Sequence, residues 1–262
     1  MVNSLARHRR LAWELTKREL VDRYVGQVAG TFWAVIQPAL TICIFIVLFG
    51  MVFTPRIATG QAIVGDQLVY LISGLVPWMA IQDALARAPG IIVSNAALVK
   101  QVSFPLSVLP VKSLLPSFII LPIGHGLLLL YVLVQYGSVP ATWSLLPICW
   151  AMLILAGIGL AYALSAIAVY FRDIGNIVQL SLFIGLYVSP VFYRPDAAPG
   201  FLRVAMLFNP ITYIIFAFQD ATNYGSITHP AAWAMALGLS VASFLLGARV
   251  FNILQRQFGT FL

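Results

Sequence analysis

Six long apolar runs make up most of this 262-residue chain, and none carries Asp, Glu, Lys or Arg near its middle. A run of roughly 20 apolar residues is the length that crosses the hydrocarbon core of a bilayer as a helix. The runs cover residues 32–53, 67–88, 106–135, 145–170, 177–192 and 231–253. With 61% hydrophobic and 9% charged residues, a soluble globular fold lacks the charge to cover its surface. Mean hydropathy of +0.95 also excludes a disordered chain, and two cysteines exclude a disulfide scaffold. No contiguous stretch is left for a soluble catalytic domain of about 100 residues. The fold class is all-α integral membrane, with six transmembrane helices.

The polar remainder is organised. Residues 1–31 form an N-terminal cytoplasmic segment, and residues 32–262 the transmembrane domain. The spacing predicts a helix over residues 4–24, with Trp13, Leu20 and Tyr24 on one face and Leu11 and Leu15 on the other. A basic helix that carries a Trp suits a membrane interface, and Trp13, Arg18 and Arg23 are its candidate contact residues. Pro38 is expected to kink the first run, and Asp83 and Arg87 face the same way at i and i+4. Residues 89–105 read as a short helix along the membrane surface. Residues 201–208 and 211–221 are too short to cross, so they read as a re-entrant or interfacial pair before the last span.

Six spans place both termini on one side. Twelve of the fifteen Lys and Arg then share that side, leaving Arg56, Arg194 and Arg203 on the other. The positive-inside rule makes the twelve-residue side cytoplasmic, and it accounts for the net charge of +7 without nucleic acid.

The chemistry-bearing motifs are missing. There is no phosphate-binding Gly-x-x-x-x-Gly-Lys-Ser/Thr loop, no His/Cys set with metal-ligand spacing and no Gly-x-Ser-x-Gly elbow. Charge-free span centres disfavour an ion-coupled carrier, which uses such groups as relays. His125, between Gly124 and Gly126, is the exception and reads as a hydrogen-bonded packing residue. The four scattered acids Asp66, Asp83, Asp196 and Asp220 show no pair of the kind a glycosyl-lipid enzyme would use.

One ordered set of residues resembles a known family. Asp22-Arg23-Tyr24, Gly30, Trp33 and Pro38 come first, then Asn95, Leu98, Lys100 and Phe104-Pro105. Phe171-Arg172-Asp173-Ile174, Ser189-Pro190, Tyr193 and Asn209-Pro210 follow. Together they resemble the Wzm-like permeases, the transmembrane subunits of polysaccharide-exporting ABC transporters in the type-2 ABC permease superfamily. The resemblance covers nearly the whole chain. It implies a non-enzymatic half-transporter that pairs with a second copy of itself and with two nucleotide-binding ATPase subunits in the bacterial inner membrane. Those subunits, not this chain, would bind ATP and Mg. The implied cargo is an undecaprenyl-linked polysaccharide, with O-antigen of lipopolysaccharide favoured. A permease for a teichoic acid, capsule, drug or small lipid is the alternative.

The resemblance also assigns expected roles. Asn95, Lys100 and Phe104 correspond to a first ATPase-coupling element, and Arg172 and Asp173 to a second. Positive-inside charge is the competing account of Lys100 and Arg172. Gln219 departs from the pattern, standing where an Arg is expected. Trp33, Trp78, Tyr187, Phe192, Tyr193 and Phe216 are candidates for a glycan channel, because sugar rings stack on aromatic faces. An ordinary aromatic belt at the membrane interfaces is the competing account.

Overall fold

The computed structural model describes residues 8–52, 66–100 and 105–261. Among these residues there is no strand. Helix α1 (Arg9–Asp22) leads through a turn with Gly26 and Gly30 at positive φ into α2 (Trp33–Val52), which stays one helix across Pro38. Helix α3 (Gln67–Arg87) continues through a 3-10 turn into two four-residue helices, α4 (Ile91–Ser94) and α5 (Ala96–Val99). Then come α6 (Val108–Leu114), α7 (Ile120–Tyr136), α8 (Leu146–Ala168) and α9 (Ile174–Val188). Helices α10 (Gly200–Phe208) and α11 (Pro210–Gln219) precede α12 (Pro230–Leu254) and a final turn, α13 (Phe258–Phe261).

Prolines and glycines set most of the breaks. The expected single run over 106–135 is α6, a 3-10 stretch (Leu115–Ile119) and α7. Pro116 has no N–H to give the helix ladder, and the tighter turn absorbs its ring. Pro122 sits in the first turn of α7, where the N–H has no helical partner anyway. Gly137 ends α7 in the left-handed conformation at φ 70°.

Among the described residues, five helical stretches are long and apolar enough to cross a membrane. The expected fifth span, 177–192, is instead α9, with 15 residues. At 1.5 Å per residue it reaches about 22 Å, short of a hydrocarbon core of about 30 Å, and residues 189–193 carry the chain on to the opposite end of the bundle, where the Phe192 and Tyr193 carbonyls accept from Gln67 and Tyr70. Pro190 is the reason: it pushes Ser189 into extended backbone (φ −89°, ψ 152°) and ends the helix. Helices α10 and α11, continued by a π-helical turn (Asp220–Tyr224), form a pair bent by 97°, in the place expected for the re-entrant pair.

Helix α3 is the centre of the bundle, with residues 68–78 buried on every side. Helix α12 lies along α8 at backbone contact. A Cβ on Gly247 would collide with the Gly159 carbonyl, and one on Gly159 with the Ser243–Phe244 peptide. Small residues are what allow helices to approach this closely. Gly124 of α7 meets Val76 and Ile42 in the same way. Tyr170 donates to the Leu254 carbonyl at 2.9 Å, so the ends of α8 and α12 meet.

Helices α2 and α9 are among those that leave apolar surface uncovered. On α2, among the described residues, only Ile42 is fully buried, and Val35, Leu40, Ile44 and Val47 face outward. On α9, Val178 and Leu182 pack inward, while Ile177, Leu180, Phe183, Ile184 and Tyr187 are exposed. A helix that is apolar all round belongs in lipid or against another subunit.

Candidate functional site

Polar side chains gather at the two ends of the bundle. At the end that carries both termini, α1 is stapled to the transmembrane helices. The face it packs is Ala12, Thr16, Glu19 and Arg23, at helical spacing. The face with Trp13, expected at a membrane interface, is turned away from the bundle, with Trp13 56% exposed. Small Ala12 and Thr16 let α1 lie close to α6, and the charges beyond them reach partners there.

Two of those charges carry the staple. Lys112 of α6 donates to Glu19 Oε2 at 3.1 Å and to Asn95 Oδ1 at 3.2 Å. Its side chain is 11% exposed. One ammonium therefore ties α1, α6 and the α4–α5 element together. Asn95 is oriented for this by donating its own amide to the Ile91 carbonyl at 2.8 Å. Arg23 donates to Asp83 Oδ2 at 3.5 Å, to Ser117 Oγ at 3.3 Å and to the Ser113 carbonyl. Arg87 donates to Asp83 Oδ1 through Nε and Nη2, at 3.0 and 2.9 Å. Burial, and after it the Arg87 charge, lower the Arg23 pKa, while Asp83 and Glu19 oppose the shift. The guanidinium stays charged throughout.

The remaining expected coupling residues lie at this same end. Lys100 is exposed beyond α5. Arg172 and Asp173 are exposed in the turn between α8 and α9, next to Phe171 at 66% exposure. Gly175, just after this turn, approaches Pro89 of the α3–α4 junction, so the two connections are neighbours. Phe104 lies outside the described residues. Arg18 is on the outer face of α1, 3.7 Å from Asp22.

The opposite end holds two buried carboxylates. Asp66 caps α3, accepting from the Leu68 and Val69 amides at 2.8 and 3.4 Å. Its second oxygen accepts from the Tyr131 and Tyr136 hydroxyls at 3.0 and 2.7 Å. Asn223 donates to its backbone carbonyl at 3.2 Å, which links the bent pair to α3. Asp220 is fully buried and accepts from the His229 amide (2.9 Å), His229 Nδ1 (2.8 Å) and Trp233 Nε1 (3.0 Å). Gln219, in place of the expected Arg, is buried and donates to the Pro190 carbonyl at 2.7 Å. These bonds fix α10–α11 to α3, α7, α9 and α12.

The aromatic candidates separate into groups. Tyr187 is 52% exposed on α9, stacked on Phe192 at 6.1 Å and edge-on to Phe183 at 5.6 Å. The Tyr193 hydroxyl bonds the Tyr187 carbonyl. Trp33 is half-buried at the start of α2. Trp78 is buried under Gly185 and donates to Gln82 at 3.0 Å. Phe216 is buried and stacks on the His229 ring at 4.8 Å. His125 is buried too, with Nδ1 2.8 Å from the Leu121 carbonyl and its ring stacked on Phe218.

Sequence reasoning missed Lys112, Glu19, Phe183 and the Asp220–His229–Trp233 cluster. Lys112 had a signal: a Lys inside an apolar run needs a partner or a route to water. Nothing in the sequence pointed to Glu19 as that partner.

The residues at 10–222 match the model of a family described as ABC-2 type transporter. Among curated proteins, the chain is 27% identical to the O-antigen export system permease protein RfbA of Myxococcus xanthus, over 98% of this chain and 97% of that one. It is 23% identical to the RfbA protein of Klebsiella pneumoniae, over 95% and 93%. It is 25% identical to the capsule polysaccharide export inner-membrane protein CtrC of Neisseria meningitidis serogroup B, over 89% and 87%.

Proposed function

We propose that this chain, which belongs to the ABC-2 type transporter family, is the membrane permease of a polysaccharide exporter. Its cargo would be a lipid-linked glycan of the O-antigen class, moved across the inner membrane by a separate ATPase. The observation that carries the reading is the placement of charge: the span centres hold none, and the cations cluster at one end around a docked helix. Such a chain has no internal driving group and a rigid face for an external motor. Full-length likeness to O-antigen export permeases supports the cargo class.

In this reading both termini are cytoplasmic and two copies enclose the path. The exposed faces of α2 and α9 suit pairing, and Phe183, Tyr187 and Phe192 offer aromatic faces to sugar rings. Two ATPase subunits, which would bind ATP and Mg, dock on α1, the α4–α5 element and the Arg172–Asp173 turn. Because Lys112 joins α1 to Asn95, motion of either contact reaches α6 directly.

The test is reconstitution in liposomes with the partner ATPase, with and without undecaprenyl-linked glycan. Glycan should move only when this chain, ATPase and ATP are all present. Replacing Arg172 and Asp173 by Ala should leave ATP hydrolysis but reduce glycan movement about tenfold. If hydrolysis and glycan movement are both indifferent to the chain, the proposal fails.

A further inference from the structure

An open-sided groove of about 590 Å³ runs along α9, against α3, α8 and the bend between α10 and α11. It follows α9 from Val178, one turn into the helix, to Val188 at its end, a length of about 15 Å. Trp78 and Leu85 of α3 and Leu164 of α8 contribute to the rest of its wall.

No charged side chain lines the groove, and its few polar groups are mostly spent. Trp78 donates to Gln82 at 3.0 Å. Asn209 donates to Ser189 Oγ at 2.9 Å and accepts from the Ile211 amide at 3.1 Å. Ser181 is the remaining polar side chain. Such a lining has nothing for a headgroup or for water and suits hydrocarbon. Size narrows the occupant further. A helix with its side chains is about 10 Å across, so 15 Å of one takes on the order of 1,200 Å³. The groove therefore admits a hydrocarbon chain and not a helix of a second copy.

The two sides of α9 differ. Val178, Leu182 and Gly185 face the groove at helical spacing, while Leu180, Phe183 and Tyr187 lie on the opposite side and are exposed. One helix thus presents an apolar groove on one side and aromatic rings that suit sugars on the other. In a bilayer a hydrocarbon tail gains little from burial alone, because lipid is as apolar as the groove. A free membrane lipid has only the groove to hold it. A glycan with an attached lipid can be held on both sides of the same helix, and two linked contacts hold better than either alone.

We propose that the groove holds the polyprenyl tail of the lipid-linked cargo while its glycan stacks on the opposite side of α9. The inference rests on the exporter function proposed for this chain. Because the tail leaves one hydrocarbon environment for another, the groove guides it without trapping it.

The experiment uses the full chain with its partner ATPase in phosphatidylcholine liposomes. Two probes are added at equal low mole fraction: an undecaprenyl-linked disaccharide and a phosphatidylcholine, each with a diazirine at its tail end. After illumination, mass spectrometry should find adducts on residues 178–188 about tenfold more often with the first probe. Ser181→Phe and Ala205→Phe enlarge small lining side chains on α9 and α10, so they fill the groove from two walls. Each should lower both this labelling and ATP-driven glycan movement about tenfold, and each should elute from gel filtration as the parent does. Equal labelling by the two probes would overturn the inference, as would filled variants that are labelled or export as well as the parent. The two readings fail separately. A parent protein that moves no glycan refutes export, whereas a parent that exports with an unlabelled groove refutes the tail site alone.

Discussion

Replacing Lys112 by Met should release α1 from the bundle without unfolding the bundle. The substitution keeps the aliphatic stem and removes the ammonium that holds Glu19 at 3.1 Å and Asn95 at 3.2 Å. The side chains of Lys112 and Glu19 are 11% and 27% exposed, so the pair is poorly screened, yet Glu19 regains some water when its partner is lost. A hydrogen bond to a charged group contributes roughly 1.5–3 kcal/mol, and the second bond offsets the partial rehydration. The expected cost is about 2 kcal/mol, which corresponds to roughly 30-fold in the docking equilibrium. Amide hydrogen exchange reads this directly, because α1 opens locally when it undocks. Amides of α1 should exchange about 30-fold faster in the variant, and those of α3 at the parent rate. Glu19→Gln should cost less, since the amide oxygen still accepts. The double variant should fall short of the sum of the singles by about 1 kcal/mol. Unchanged exchange in α1 would refute the staple. So would acceleration shared equally by α3 and α8, which would mean that Lys112 supports the whole bundle instead of one docked helix.

Two further outcomes test the packing. Gly247→Leu should prevent the approach of α12 to α8, because even a Cβ there collides with the Gly159 carbonyl. Loss of monodisperse protein on gel filtration checks this, and a stable, fully extractable variant would contradict the close crossing. Asp220→Ala should leave three donors without their acceptor, two of them on the partly exposed His229, at a cost on the order of 2 kcal/mol. Thermal unfolding in detergent should fall by several degrees, with the Trp233 fluorescence environment altered. An unchanged midpoint would show that the cluster does not hold α12 to the bent pair.

The sequence by itself determined the spans, because crossing a bilayer is a local requirement of length and apolarity. Residues 67–88 were legible as a helix, which runs Gln67–Arg87, and 145–170 as one that runs Leu146–Ala168. The Asp83–Arg87 pair was legible for the same reason: a separation of four residues on a helix fixes the geometry without any knowledge of the fold. The bent pair announced itself through apolar pieces too short to cross.

What only the tertiary structure decided is which side chains meet across the bundle. Arg23 meets Asp83 across 60 residues, Lys112 meets Glu19 across 93, and Asn223 meets Asp66 across 157. A helix that is apolar all round, such as α2 or α8, carries no sequence record of its rotation about its own axis. Rotation and register are set by close packing, here by contacts such as Gly159 on Gly247. The packed face of α1 was not legible for the same reason. Hydrophobicity marks a face with Trp13 for the membrane interface, while the bundle is met by small Ala12 and Thr16 and the charges that continue their stripe. The sequence thus specified a membrane bundle with charge at its ends, and the packing turned those charges into a staple and a pair of buried carboxylate clusters.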